Sequence, residues 1–439
     1  MSKVEFGALF LEPLRNGVTK PKRVRGLGYK MVNMGEIFSL SFIQNQTMDR
    51  VPLTDKEKAA TLLQNNDLLF ARQSLVRDGA GKCSIFLNDN EPVCFESHII
   101  RVRLNQELCY PMFYYYFFSS RLGKNTMDKI IEQGAGAAGI RGSDLAKLEV
   151  PYIEYSKQKE IADSLYSFDQ KIQLNTQINQ TLEQIAQALF KSWFVDFEPV
   201  RAKAQALSDG LNLEQAELAA MQAISGKTPE ELTTLSQAEP DRYAELAETA
   251  KAFPCEMVEI DGVEVPKGWK IQYLKDICNI VYGKNLPTTK LIKEGYPVFG
   301  GNGVIGYYDK FLYETPQTLV SCRGAASGKV LYSLPYSFVT NNSLVIEHEK
   351  SGLSYFYIYE TLKLQNLTEL TSGSAQPQMT IANMASIQIL IPSEKINEVY
   401  KKYVGTLYDK KYHNNIENET LAQTRDLLLP RLLSGDFNG

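Results

Sequence analysis

A seam of apolar residues that occurs twice constrains this chain more than any other feature of its sequence. Between residues 158 and 193, the seam residues recur at alternating steps of four and three, which is the spacing of a coiled-coil helix. Two asparagines interrupt the seam, and a buried asparagine fixes the register and the partner of such a helix. We therefore predict a long helix that packs through Ile161, Leu165, Phe168, Ile172, Asn175, Asn179, Leu182, Ala186, Leu189 and Trp193.

A second seam near the C-terminus repeats the first one, including its paired asparagines. Asn414 follows Asn175 by 239 positions, and Leu421 follows Leu182 by the same distance. Two unrelated surface helices would be the simpler interpretation, but the shared asparagines and the spacing favour a duplicated helix. We expect packing by Leu165, Phe168, Ile172, Asn175, Asn179, Leu182 and Leu189 of the first helix and by Leu407, Asn414, Asn418, Leu421 and Leu428 of the second.

The globular parts of the chain repeat more faintly. Gly81-Lys82 has a counterpart in Gly328-Lys329, and Gly28-Tyr29 has one in Gly295-Tyr296. Apolar runs at 67–71 and 99–102 indicate strands, residues 110–121 a helix, and residues 145–153 a last strand. The predicted segments are a mixed α/β domain (1–155), a central helix (156–200), an acidic helical connector (201–262), a second mixed α/β domain (263–393) and a C-terminal helix (394–439).

Two copies of one plan in a single chain can imitate a two-fold dimer. We predict an α+β fold in which two mixed α/β domains in pseudo-two-fold arrangement are separated by two long helices. These helices are expected to pair as an antiparallel coiled coil.

Charge is distributed unevenly along the chain. The net charge is −4, but residues 201–264 alone carry 5 Lys and Arg against 13 Asp and Glu. Residues 1–155 carry 20 against 17, and residues 265–394 carry 11 against 9. The two globular parts are therefore mildly basic, which permits DNA binding at a local surface without requiring it.

The composition argues against secretion, membrane insertion and zinc binding. A basic start followed by an apolar segment is absent, and the most aromatic run, residues 110–118, is too short to span a bilayer. The six cysteines lack CxxC spacing and the three histidines are scattered, so we predict no metal site. We expect reduced thiols and a cytoplasmic location.

A glycine-rich segment is the one candidate for cofactor chemistry. Gly134 to Gly139 fits the GxGxxG pattern of dinucleotide or S-adenosylmethionine sites, which requires a strand before it and a helix after it. The second copy replaces these positions with 373–378 and abandons the glycines, which favours a surface loop. A methyltransferase using this loop stays open as an alternative, as does a coiled-coil adaptor that does not bind DNA.

Polar and basic side chains set among glycines favour recognition over catalysis. Arg and Lys read guanine edges or hold phosphates, whereas Asn and Gln pair with adenine. Turn residues and solvated charges explain such side chains equally well one at a time, but the two copies share the enrichment and no catalytic set is evident. The predicted DNA-binding residues are Arg72, Gln73, Arg77, Lys82, Arg141, Ser143, Lys284, Asn302, Tyr307, Arg323, Lys329, Asn342, Gln376 and Gln378.

With these features in hand, the chain resembles the specificity subunits of type I restriction–modification enzymes over essentially its full length. The segments that carry the resemblance are 67–72, 139–145, 189–194, 265–269, 296–307 and 323–328. The resemblance implies two target recognition domains, each reading one half of a bipartite sequence in double-stranded DNA. It also implies that the paired helices set the nonspecific spacer and dock two modification subunits.

The same resemblance implies that this chain has no catalytic activity and binds no cofactor itself. The modification subunits would use S-adenosylmethionine to methylate adenine. Two restriction subunits would supply ATP- and Mg-dependent translocation and cleavage.

Overall fold

The computed structural model describes residues 2–134, 136–371 and 377–434. By its internal contacts the chain forms two units. The first unit contains Met1–Thr176 and Asn415–Gly439, and the second contains Gln177–Asn414. Each long helix therefore contributes residues to both units.

The first unit is built from short strands and helices. Its strands are β1 (Ser2–Glu5), β2 (Arg15–Asn16), β3 (Tyr29–Val32), β4 (Phe42–Ile43), β5 (Asp49–Val51), β6 (Leu68–Ala71), β7 (Gln73–Ser74), β8 (Cys83–Phe86), β9 (Val93–Phe95), β10 (Ile99–Val102), β11 (Glu132–Gln133), β12 (Ala138–Gly139) and β13 (Glu149–Tyr152). Its helices are α1 (Met34–Ser39), α2 (Asp55–Thr61), α3 (Pro111–Ser119), α4 (Arg121–Asp128), α5 (Gly142–Ala146) and the start of α6 (Tyr155–Phe194).

The second unit adds a helical segment to a similar set of strands. Its helices are α7 (Glu198–Ser208), α8 (Leu213–Ser225), α9 (Pro229–Ala238), α10 (Pro240–Ala252), α11 (Leu274–Ile277), α12 (Tyr355–Lys363), α13 (Ile381–Ala385) and the start of α14 (Glu394–Ser434). Its strands are β14 (Met257–Ile260), β15 (Val263–Pro266), β16 (Lys270–Tyr273), β17 (Asn279–Tyr282), β18 (Tyr296–Gly300), β19 (Gly303–Tyr308), β20 (Thr318–Ser321), β21 (Val330–Tyr332), β22 (Phe338–Val339), β23 (Ser343–Glu347) and β24 (Gln388–Ile391).

The two units share one sheet topology, so the predicted repeat is confirmed at the level of strand pairing. The order β2-β10-β6-β8-β4 in the first unit corresponds to β17-β23-β20-β21 in the second, which lacks a counterpart of β4 among the described strands. In a smaller sheet, β3 pairs antiparallel with β5 and parallel with β9, and β18 pairs in the same way with β19 and β22. A two-stranded pair, β1-β13 or β16-β24, completes each copy.

A glycine before the central strand of this smaller sheet is required in both copies. Gly28 has φ +101°, and a Cβ there would lie 2.4 Å from the carbonyl oxygen of Val51. Gly295 has φ +143°, and its Cβ would lie 2.5 Å from the carbonyl oxygen of Tyr308. Since L side chains rarely adopt positive φ and no space is left for one, the Gly28-Tyr29 and Gly295-Tyr296 correspondence reflects one shared backbone turn.

Two elements have bounds that differ from the predicted ones. The sequence predicts a strand over 145–153, but the strand covers Glu149–Tyr152 and α5 occupies Gly142–Ala146, because the buried Leu145 closes a helical turn on the carbonyl of Arg141. The central helix ends at Phe194 rather than near residue 200. Phe197 adopts a left-handed conformation (φ 55°) and Pro199 lies in the first turn of α7, where its missing N–H is tolerated. The domain boundaries themselves stay a prediction.

An aromatic helix packs each sheet against a long helix in the same manner. Tyr114 in α3 donates a hydrogen bond to the carbonyl of Pro151 at 3.1 Å, and Tyr357 in α12 donates to the carbonyl of Leu390 at 2.7 Å. Both rings are almost fully buried, and burial raises the pKa of each phenol. The hydroxyl groups thus satisfy strand carbonyls in the core, where an unmatched polar group is costly.

In the first unit the two long helices pair through a polar layer. Asn175 donates to the side-chain oxygen of Asn418 at 3.0 Å and to the carboxylate of Glu417 at 2.8 Å. Six residues earlier in α6, the carboxylate of Asp169 accepts hydrogen bonds from Arg425 and, at 2.6 Å, from Tyr116. Because position 169 meets 425 while 175 meets 418, the helices run antiparallel.

The second unit contains the repeat-related contact. Asn414 donates to the side-chain oxygen of Asn179 at 2.8 Å, and Glu183 forms an ion pair with Lys411 at 2.7 Å. Asn175 corresponds to Asn414 in the repeat, and Asn179 corresponds to Asn418. The Asn175–Asn418 and Asn414–Asn179 contacts are therefore equivalent, and in each the first of the two amides is the donor. Each unit therefore pairs its two helix segments through one asparagine contact, and such a buried contact fixes the register of a helix pair.

The predicted packing residues lie along this pairing. Leu165, Asn175, Asn179 and Asn414 are buried. The half-buried ones are Phe168, Ile172, Leu182, Leu189, Leu407, Asn418, Leu421 and Leu428.

Four short helices, α7 to α10, form the acidic connector with a small core of its own. They break near Gly210, at Gly226 and before Pro229, as the sequence predicts. Lys203 in α7 is 1% exposed, and its ammonium group donates to the carbonyls of Ala250 at 2.9 Å and Phe253 at 2.7 Å. This lysine thus places a charged donor against two carbonyls at the C-terminus of α10, where the N–H of Phe253 also donates to the carbonyl of Ala250 at 3.3 Å.

We expect Lys203→Met to lower the free energy of local unfolding of α10 by about 2 kcal/mol, because two buried carbonyls lose a charged donor. The measurement is hydrogen exchange of the α10 amides, whose protection should fall by more than tenfold. Lys251→Met is the matched control, since this exposed lysine only pairs with Glu248. Unchanged protection in the Lys203 variant would contradict this role.

Candidate nucleic-acid interface

In the second unit, the carboxyl end of β20 gathers several of the predicted DNA-binding residues. The N–H of Cys322 donates to the carbonyl of Asn342 at 3.0 Å, and Arg323 pairs with Gln378 in an isolated antiparallel bridge. On the other side, the N–H of Ser321 donates to the carbonyl of Lys329 at 2.9 Å. Strand pairing therefore brings three separate loops to one end of the sheet.

Two further loops reach the same end. Lys284 forms a parallel bridge with Thr340, which immediately precedes the Asn341-Asn342 turn. The ammonium group of Lys329 donates to the side-chain oxygen of Asn302. We call the resulting set the second-unit cluster; its exposed members are Lys284, Asn302, Arg323, Lys329, Asn342 and Gln378.

Two predicted residues do not join this cluster. Tyr307 lies on β19 opposite Pro297, toward the other end of the β18-β19 hairpin, and is half-buried. Gln376 lies outside the described residues. The cluster is otherwise made of cations and carboxamides, the groups that contact phosphates and base edges.

The first unit presents an equivalent set, here called the first-unit cluster and formed by Arg72, Gln73, Lys82, Arg141 and Ser143. The N–H of Arg72 donates to the carbonyl of His98 at 2.8 Å, the N–H of Ala71 donates to the carbonyl of Lys82 at 2.9 Å, and Gln73 pairs with Gly139. Gly81-Lys82 and Gly328-Lys329 make the same pair of backbone bonds in their units, so their predicted correspondence is confirmed.

Part of the first-unit cluster forms a depression. Arg72, Arg141 and Ser143 line it together with Asn16, and its volume is about 300 Å³. Arg141 also pairs with Glu132 at 2.8 Å, but both side chains are largely exposed, so the pair is weak in water. The guanidinium of Arg141 can therefore exchange this carboxylate for a phosphate.

Two predicted residues of the first unit are engaged within the protein. Arg77 donates to the carboxylate of Asp128 and to the carbonyls of Asp128 and Ile131. Lys82 donates to the carbonyl of Phe38 at 2.6 Å, and partial burial, together with the nearby Lys124, lowers the pKa of its ammonium group. Arg77 thus anchors a loop, while Lys82 stays exposed at the surface.

A cationic turn in the first unit lies outside the set of residues predicted from the sequence. Lys22 and Arg23 are exposed in a short 3-10 helix, Lys22–Val24, between β2 and β3. Thr288–Lys290 forms the corresponding 3-10 helix in the second unit. Four cations within residues 20–25 are the available signal, but neither Lys22 nor Arg23 has a glycine beside it, so the glycine-flanked pattern does not include them.

The glycine-rich segment has the geometry of a hairpin. It joins the antiparallel strands β11 and β12, and the N–H of Gly134 donates to the carbonyl of Ala137 at 2.9 Å; Ala135 lies outside the described residues. A dinucleotide-type fingerprint instead links a strand to a helix N-terminus. The hairpin geometry therefore disfavours a methyltransferase that uses this segment.

Two kinds of feature have no candidates in the described part of the chain. It contains no group of three or more His, Cys, Asp or Glu side chains placed to hold a metal ion. Within the same residues, no helix combines the length and apolarity needed to cross a membrane.

Comparison with known proteins gives a consistent result. Residues 26–184 and 266–422 match the family described as the Type I restriction modification DNA specificity domain. The chain is 38% identical over 437 residues to the Type I restriction enzyme HindI specificity subunit of Haemophilus influenzae, covering 92% of this chain and 94% of that protein. It is 24% identical over 345 residues to the MjaIX specificity subunit of Methanocaldococcus jannaschii, covering 74% and 68% of the two chains.

The fold is similar to a solved structure as well. The crystal structure of the S subunit of a type I restriction–modification system from M. genitalium superimposes with a TM-score of 0.53 at 17% identity. The match covers 98% of this chain and 95% of that one. At this identity the likeness concerns the fold alone.

Proposed function

The chain belongs to the specificity subunits of type I restriction–modification enzymes, and from this premise we propose that it reads a bipartite sequence in double-stranded DNA. Each unit contributes one reading surface, the first-unit cluster or the second-unit cluster. The chain itself is a recognition component rather than a catalyst.

One observation carries this proposal: the same sheet end presents cations and carboxamides in both copies. Equivalent backbone bonds hold Gly81-Lys82 and Gly328-Lys329, and equivalent bridges hold Gln73 and Arg323. Lysine is kept at positions 82 and 329, whereas Gln73 corresponds to Arg323, so the two surfaces share a cation but differ in a side chain that can read a base. A shared scaffold with divergent exposed residues supports recognition of two different sequences.

The chemistry is proposed to lie on partner proteins. Two modification subunits would bind S-adenosylmethionine and methylate adenine, and two restriction subunits would use ATP and Mg for translocation and cleavage. The free thiols of all six cysteines support a cytoplasmic location for this assembly.

Selection from random duplexes tests the proposal directly. The full chain, purified together with its modification subunits, should enrich a sequence with two defined segments and a nonspecific gap. Affinity should fall steeply with salt, because phosphate contacts release counterions. A single contiguous target, or DNA binding without sequence preference, would overturn the proposal. Assembly with the modification subunits that does not depend on salt, without any DNA binding, would instead support a coiled-coil adaptor.

A further inference from the structure

Two exposed apolar side chains lie on a short loop next to Gln73 of the first-unit cluster. Leu75 is 87% exposed and Val76 is 65% exposed. They follow Gln73 and Ser74 in the chain, and the loop returns to the sheet at Gly81-Lys82. We call residues 74–76 the Leu75–Val76 loop.

This loop is held in place at both of its ends. Ser74 is buried and pairs with Ala138, and its hydroxyl accepts a hydrogen bond from the N–H of Val76 at 3.2 Å. On the far side, Arg77 is fixed by Asp128 through a bond of 2.9 Å. The two apolar side chains are therefore presented on a fixed backbone, which reduces the entropy lost when they meet a partner.

The loop is an addition to the shared scaffold. Gln73 and Arg323 occupy equivalent bridge positions, and Gly81 and Gly328 make equivalent backbone bonds. Eight positions separate the two landmarks in the first unit but five in the second. The three extra residues coincide with the Leu75–Val76 loop, so the second unit forms the shared scaffold without them.

The neighbouring groups indicate what these apolar side chains meet. Gln73 is an exposed carboxamide, and such a group pairs bidentately with adenine in the major groove. The thymine opposite presents a C5-methyl group, which aliphatic side chains contact. The carboxamide can therefore bind the adenine of an A·T pair, while the two aliphatic side chains contact the methyl group of its thymine or of a neighbouring thymine.

The second unit shows the same combination on a different loop. Asn302 is exposed in the turn between β18 and β19, and Val304 and Ile305 at the start of β19 are 47% and 44% exposed. Because these residues are not in the equivalent segment, the combination has arisen twice in different backbone settings.

We propose that the Leu75–Val76 loop is a specificity determinant that contacts a thymine C5-methyl group beside an adenine held by Gln73. This inference rests on the proposed function and names the base-pair chemistry of one half-site.

Deoxyuridine scanning tests the inference. The probe is the duplex selected by the wild-type assembly, with each thymine of both half-sites replaced in turn by deoxyuridine, which lacks only the methyl group. At one or two positions of one half-site, wild-type affinity should fall about fourfold, the factor expected for burial of one methyl-sized group. The double variant Leu75→Ala/Val76→Ala should bind thymine and deoxyuridine equally there.

Leu27→Ala is the matched control, because Leu27 is 83% exposed in another loop of the same unit. This variant should keep the wild-type response to deoxyuridine. A half-site without an A·T pair, an unchanged response in the double variant, or loss of assembly with the modification subunits without any deoxyuridine effect would each overturn the inference. Failure of the selection to yield any preferred sequence would instead overturn the proposed function.

Discussion

Asp169→Ala is expected to destabilise the first unit by about 3 kcal/mol. Asp169 is 8% exposed, and its carboxylate accepts hydrogen bonds from Tyr116 and from Arg425 of the C-terminal helix. Removing it leaves a buried phenol and a half-buried guanidinium without their acceptor, which typically costs several kcal/mol, reduced here because Arg425 keeps partial access to water. Urea unfolding measures the decrease in the free energy of unfolding, and hydrogen exchange of the α3 and α6 amides measures it locally.

The neighbouring Asp163 provides the control for this effect. It lies on the same helix and contacts Lys159 and Tyr110, but its side chain is 44% exposed. Asp163→Ala should therefore change stability by less than about 1 kcal/mol. Equal effects of the two substitutions would show that the buried position of Asp169 has no special role in joining the helices.

The repeat and the helix pairing could be predicted because both leave a periodic record in the sequence. Alternating steps of four and three indicate a buried helix face, and recurrence of Asn175 and Asn179 as Asn414 and Asn418 indicates a duplication. The contact partners were not predicted, because antiparallel pairing alone does not decide where along the helices the two copies cross. A periodic pattern therefore predicts the helices and their repeat, whereas the register follows only from the structure.

Contacts between residues distant in sequence could not be predicted in this way. Asp169 looks like an ordinary surface carboxylate until Tyr116 and Arg425 are placed beside it. Lys203 looks like a solvated cation, yet it is buried at the end of α10. Nothing in the neighbouring sequence distinguishes such residues from exposed ones, because their burial depends on tertiary packing.

The candidate site falls between these two cases. Cations near glycines led to Arg323 and Lys329, which the structure places at one sheet end, because loops at strand ends need both glycine and polar residues; their contact with DNA stays a prediction. The same pattern includes Arg77, whose guanidinium binds within the protein, and does not include the exposed Lys22 and Arg23. Which sheet end gathers the loops is decided by strand order, which a single sequence does not contain.

The second large effect is expected in DNA binding by the second-unit cluster. The triple variant Lys284→Ala/Arg323→Ala/Lys329→Ala should lower affinity for the selected duplex on the order of 100-fold at moderate salt. Removing a cation that binds a phosphate should also reduce the slope of log affinity against log salt by about one, so the slope should fall by about three if all three residues bind phosphates. A smaller change in slope accompanied by altered base preference would assign one of them, most simply Arg323, to a base edge.

A charge-matched variant separates this local role from a general effect of net charge. Lys267, Lys270 and Lys275 are exposed in the same unit but lie outside the second-unit cluster. Replacing them by alanine removes the same three charges, so long-range attraction weakens equally while the cluster stays intact. The control should bind only a few-fold more weakly and keep its sequence preference. If both triple variants were weakened to the same extent, the sheet end would not be the reading surface, and the DNA would have to be held elsewhere on the unit.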